Sequence, residues 1–262
     1  MATAKTGSGE IYIAKVEQTE LTFYIRGLTP LIFNRVSEKA KRELLLPSGR
    51  KTAADKAVNL KHDPLAEYQA SPYQNLLDSA PTRLQLLGSM FKKAMMTAAL
   101  DLPGVNKTQV GRLLYVATDR VDLYGRPELL MTVTRSADIN KTPDVRTRAI
   151  VPRWACKLTL RFVTPIIRET SVANLLVAAG IQAGVGDYRV EKGAGNYGTF
   201  EPVSGNDPEW KQISKIGRKE QDAALADPEF YDDETASLYT WFESELPKRG
   251  QKTASAKAGG KS

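Results

Sequence analysis

The chain has 262 residues, 42% hydrophobic and 26% charged, enough to bury one good core as one large domain or two small ones. No apolar run approaches the roughly 20 residues of a membrane span, and residues 1–10 carry no apolar signal core, so neither a membrane partner nor secretion is expected. One cysteine, Cys156, cannot form an internal disulfide, which fits a reducing, cytoplasmic setting.

The net charge of +7 is unevenly spread. Residues 204–246 hold eleven acidic and four basic side chains, residues 248–262 hold five basic and no acidic ones, and the part through Val203 carries the remaining +9. A basic body followed by an acidic segment and a basic tail suits a polyanionic partner. Basic solvated faces are also common in proteins that bind nothing charged.

Residues 1–10 read as disordered. Residues 19–27 alternate, with Leu21, Phe23 and Ile25 on one face and Glu20, Thr22, Tyr24 and Arg26 on the other, which predicts a half-buried strand ended by Thr29-Pro30. Residues 31–33 continue it briefly. Residues 35–61 hold eight basic and three acidic side chains and read as a basic excursion with some helix. Residues 63–81, with three prolines, read as loop. A helix is predicted over 89–102 with Ser89 as its N-cap, and a shorter one over 107–113. Two strand-like runs flank Tyr124-Gly125-Arg126, a hairpin signal.

Residues 134–153 are polar and basic and read as a flexible finger. Residues 154–163 alternate again, with Trp154, Cys156, Leu158, Leu160 and Phe162 inward and Lys157, Thr159 and Arg161 outward. A helix over 171–179 stops at Gly180, and a last strand spans 197–203.

Between them lies a stretch with six glycines in residues 180–200, interleaved with Asp187, Tyr188, Arg189, Glu191, Lys192 and Tyr197. Such a loop can cradle phosphates with its amides while its rings stack on bases; it can equally be a connection with no ligand. Residues 232–246 predict an amphipathic helix, and residues 247–262 a disordered basic tail.

The order strand, helix, strand pair, strand, helix, strand predicts an α+β fold, a ferredoxin-like (RRM-like) βαββαβ sandwich. The core would span 11–203, with insertions about 35–81 and 134–153 and an acidic helical extension over 204–246. Its open sheet face would show Tyr24 and Arg26 beside Lys157, Thr159 and Arg161, an arrangement suited to single strands and also typical of a solvated sheet face.

Catalytic patterns are scarce. His62, the only histidine, sits beside Lys61 and Asp63 and reads as solvated. No CxxC, HExxH or dinucleotide fingerprint occurs, so no metal and no cofactor is expected. Asp187, one carboxylate in an anion-binding type of loop, is the sole motive for a metal-dependent nuclease reading.

The segment FYIRGLTPLI over 23–32 resembles the opening strand and turn of the RAMP superfamily, the RRM-like guide-RNA-binding subunits of CRISPR effector complexes. GVGDYRVEKGAGNYGTF over 184–200 resembles that superfamily's glycine-rich loop. VRTRAIVPRW over 145–154, followed by AGIQAGVGDYR, is similar to uncharacterised phage and prophage proteins. The sequence departs from RAMP endonucleases in lacking a plausible catalytic histidine. It also has Asn34 after the TPLIF stretch, in the general region where target-cleaving backbone subunits place an aspartate.

The resemblance implies a non-catalytic, oligomerising, filament-forming binder of single-stranded RNA or DNA in the cytoplasm, that of the host if phage-encoded. Its expected contacts are Tyr24, Arg26, Arg35, Arg146, Arg148, Lys157, Arg161, Tyr188, Arg189, Lys192 and Tyr197, with Gly184, Gly186, Gly193, Gly195 and Gly198 allowing backbone approach. The alternatives are an adaptor that assembles without nucleic acid, its acidic segment meeting the basic body of a neighbour, and the nuclease.

Overall fold

The computed structural model describes residues 15–36, 41, 44–46, 62–135, 143–192 and 195–248. The expected disorder at 1–10, most of the basic excursion, the tip of the finger, Gly193 and nearly all of the basic tail lie outside these residues.

Alternation builds the centre of the fold. β1 (Glu17–Gly27) and β9 (Ala155–Thr164) pair antiparallel along almost their whole length, Leu21 opposite Leu160 and Phe23 opposite Leu158. The inward side chains Ile25, Cys156, Leu158, Leu160 and Phe162 are fully buried. Outside, the Thr22 and Thr159 hydroxyls meet at 3.0 Å. β10 (Phe200–Val203) pairs with the other side of β1.

Beyond β9 come β6 (Arg120–Tyr124), β4 (Leu84–Leu87) and β3 (Tyr73–Gln74), while β5 (Leu114–Val116) also pairs with β9. The result is a seven-stranded antiparallel sheet of order β10-β1-β9-β6-β4-β3, with β5 off the path.

α1 (Pro64–Ala70) precedes β3. The inner face is covered by the next helices in chain order, α2 (Gly88–Ala98), α3 (Lys107–Leu113) and α4 (Glu169–Gln182). Phe91 of α2 meets Phe200 at 5.5 Å between ring centroids, and Trp154 meets Phe200 at 6.3 Å. Burying these large rings supplies much of the drive to fold.

Gly180, expected to stop α4, lies inside it. A Cβ there would overlap the Phe200 carbonyl, so the missing side chain is what lets helix and strand close up. Likewise α2 starts at Gly88, directly from β4, with no side-chain cap from Ser89.

A second sheet, antiparallel and three-stranded, has the order β2-β8-β7: β2 (Leu31–Ile32), β8 (Pro143–Val151) and β7 (Glu128–Arg135). Two expectations are corrected by it. Of the supposed finger, residues 143–151 are a regular strand, paired with β7 through eight residues. The runs flanking Gly125 form no hairpin, because β6 and β7 belong to different sheets. Gly125 has φ +125, donates to the Ile216 carbonyl at 3.1 Å and abuts the Arg153 carbonyl, so the chain bends there out of the first sheet. The Pro-rich stretch read as loop likewise contains α1, whose N-cap Asp63 accepts from the Ala66 amide at 3.2 Å, and β3.

The acidic segment is helical: α5 (Pro208–Ile213), α6 (Arg218–Ala226) and α7 (Asp233–Lys248). It is fastened to the sheet. Gln221 is fully buried; its oxygen accepts from the Arg83 and Leu84 amides, and its amide donates to the Leu123 and Gly125 carbonyls, all between 2.7 and 3.0 Å. The Tyr68 hydroxyl of α1 donates to the Ala224 carbonyl at 2.9 Å. Among the described residues no helix is long and apolar enough to cross a membrane.

Candidate nucleic-acid interface

The outward face of β1 and β9 carries the first group of expected contacts; it is covered at its Tyr24 and Arg26 end, while Thr22 and Lys157 stay exposed. Trp210 of α5 stands edge-on to Tyr24, centroids 4.8 Å apart, and its indole N–H donates to the Cys156 carbonyl at 3.2 Å. Arg26 donates to Glu201 at 2.5 Å and to Glu209 at 2.6 Å, with Asp207 at 3.5 Å. The hydrogen bond to Glu201, opposed by burial and aided by the Asp207 and Glu209 charges, raises the pKa of this guanidinium above its ordinary value. Lys157 sits 5.8 Å from the Tyr24 ring centre, and Arg161 donates to Glu20 at 2.6 Å. The acidic extension supplies the covering ring and two of the three carboxylates around Arg26; the third, Glu201, comes from β10.

The glycine-rich stretch is a built structure rather than a long open loop. Gly184, Gly186 and Gly198 take positive φ. At Gly198 the left-handed turn is obligatory, because its amide donates to the Pro30 carbonyl at 2.8 Å while its own carbonyl accepts from Val185 at 2.9 Å. A Cβ on Gly195 would overlap the Tyr188 carbonyl, so this glycine serves an approach within the chain.

Asp187 bridges to Ile32 through its backbone, and its carboxylate accepts from Arg148, a β8 side chain only 7% exposed. The Arg148 guanidinium lies 5.5 Å from the centre of the Tyr188 ring. Tyr188 and Tyr197 pack against Ile32, Leu130 and Ile150.

Arg189 donates to Glu191 at 2.7 Å and to the Gly186 carbonyl at 3.0 Å. Burial acts to raise the Glu191 pKa, but the Arg189 hydrogen bond and charge, with Thr97 and Lys192, hold it below the usual carboxylate range. Of the expected cations of this stretch, Lys192 is exposed. His62 departs from expectation too: its ring nitrogens face Glu67 at 2.8 Å and Asp144 at 3.0 Å.

A further concavity lies elsewhere. A groove of about 680 Å³ runs between α1, β3 and α6, lined among the described residues by Arg35, Lys41, Arg83 and Arg120 against one carboxylate, Asp222. The Arg120 guanidinium lies 4.8 Å from the centre of the Tyr73 ring in its wall. Arg83 donates to the Gln74 side-chain oxygen at 3.0 Å and lies 3.6 Å from Asp222, which is itself 3.5 Å from Arg218. Of the expected contacts only Arg35 reaches this groove; Arg146 and Arg148 line a neighbouring cleft with it.

Tyr73, Arg83 and Arg120 escaped the sequence reading because each belongs to a different short strand or its edge: Tyr73 and Arg120 open β3 and β6, and Arg83 immediately precedes β4. The available signal was a tyrosine and an arginine at strand starts, which points to no common destination.

No family model matches the chain, and no curated protein does. Among solved structures it is similar to a chain of the type III-B Cmr-beta complex bound to cognate target RNA, at 13% identity and a TM-score of 0.35. The match takes in 71% of this chain and 59% of that one. No family is identified by a likeness of that size.

Proposed function

We propose that this protein binds single-stranded nucleic acid, and that its seat is the groove of Arg35, Lys41, Arg83 and Arg120 beside Tyr73. That grouping of four cations with an accessible ring is the observation that carries the reading. Guanidinium and ammonium groups neutralise phosphates, and a tyrosine beside an arginine offers a platform on which a base can stack.

The finer reading is a non-catalytic subunit of RAMP backbone type on a ferredoxin-like core, assembling into oligomers. In its support, β1, α2, β5 with β6, β9, α4 and β10 follow in β-α-β-β-α-β order, β5 and β6 both pairing with β9 and the other elements being interspersed. Asp187, the nuclease candidate, is engaged by Arg148, which favours a structural role.

The test is anisotropy of a fluorescent single strand with the full chain at two salt concentrations. Affinity is expected to fall steeply with salt, and Arg120→Ala with Arg83→Ala to weaken binding roughly tenfold. Absence of binding at low salt, or wild-type affinity in the double variant, would refute this seat. Light scattering with and without the strand reads the oligomeric state.

A further inference from the structure

The groove shares lining residues with two other concavities. It shares Tyr73 with a cleft of about 240 Å³ between α2 and the glycine-rich stretch, where Lys93 stands. It shares Arg35 and Ala70 with a cleft of about 450 Å³ beside β8, where Arg146 stands. The acids among the described lining residues of all three have partners in the protein. Glu191 is held by Arg189, Asp222 lies beside Arg83 and Arg218, and Glu67 and Asp144 face His62. Each concavity also holds a cation with no carboxylate partner among the described residues: Lys93, Arg120 and Arg146.

We infer that the three form one track, and that its occupant is an unpaired polynucleotide strand long enough to pass Lys93, Arg120 and Arg146 in turn. This rests on reading the central groove as a nucleic-acid seat, and it adds two flanking subsites to it. A mononucleotide or free phosphate would meet one of these cations. A strand meets all of them and releases counterions at each, so affinity grows with length until the track is filled. Tyr73, at the junction of the first two concavities, is placed to stack a base where the backbone turns from one into the other.

The experiment uses the full chain and fluorescent oligo-dT and oligo-U of about 4, 8 and 16 nucleotides, spanning the usual range of single-strand site sizes. Affinity is expected to rise through the series. Lys93→Ala and Arg146→Ala should each weaken the longest strand about threefold or more and leave the shortest nearly unchanged, whereas Arg120→Ala should weaken every length. Lys107→Ala, an exposed site outside all three concavities, removes the same charge and should be silent. The track is overturned, and the central seat kept, if affinity is flat with length and Lys93→Ala and Arg146→Ala change nothing. It is likewise overturned if Lys107→Ala costs as much as they do. Failure of every strand to bind would remove the seat itself and the track with it.

Discussion

Trp210 and Tyr24 meet edge to face with ring centroids 4.8 Å apart, although they come from opposite ends of the chain. The contact covers the Tyr24 end of the sheet face that an RRM-like reading would leave for nucleic acid. Trp210→Ala is expected to destabilise the fold by about 2 kcal/mol, below the range for a fully buried tryptophan because the ring is half-buried. Urea unfolding measures it. If the strand seat is the groove, oligonucleotide affinity should be unchanged in this variant. A gain in affinity would instead mean that α5 shields a binding surface.

Gln221 spans the gap between α6 and the sheet with four backbone hydrogen bonds. Gln221→Leu keeps the volume and leaves buried amides and carbonyls without partners, at a cost on the order of 3 kcal/mol. Because α6 forms one wall of the groove, strand binding should weaken together with stability. A thermal melt unchanged from wild type would mean that water or a neighbouring group takes over those bonds.

Asp187→Ala leaves the buried Arg148 guanidinium without its carboxylate. The expected loss is about 2 kcal/mol, below the range for a fully buried pair because the Asp187 side chain keeps some exposure to water. Chemical denaturation reads it directly. Full retention of stability with loss of a metal-dependent cleavage activity would return Asp187 to a catalytic role.

The Glu191 carboxyl has its pKa lowered in the folded protein, mainly by Arg189 working against burial. A depressed folded value means that the Arg189–Glu191 contribution is fully present above the unfolded glutamate pKa of about 4.3 and fades as pH falls through the lower folded value. The stability gap between wild type and Glu191→Gln should therefore be constant near neutrality and narrow below about pH 4. Urea midpoints across that range test the sign; a gap that widens on acidification contradicts it.

Much of the fold was legible along the chain. The alternation of Leu21, Phe23 and Ile25 placed β1, and that of Trp154 through Phe162 placed β9, since a half-buried strand shows its period locally. Lys107–Leu113 is helical as its pattern predicts. Gly125 misled because a glycine between apolar runs marks a turn without saying whether the next strand returns to the same sheet. Gly180 misled because the same residue that stops helices also admits a neighbouring backbone, and only the position of Phe200 distinguishes the two.

The candidate site was far less legible. Arg26 and Arg120 look alike in sequence, each a basic residue on a strand. In the fold Arg26 is taken up by Glu201, Glu209 and Asp207, while Arg120 lies over Tyr73 at the rim of a groove.

The sequence by itself determined the basic body, the central strands and the helices that cover them, because periodicity and charge are properties of neighbours along the chain. Which cations are taken up by ion pairs and which line a concavity was decided by tertiary structure alone. An ion pair forms between groups brought within a few ångströms, and here those groups are separated by as many as 183 positions of sequence.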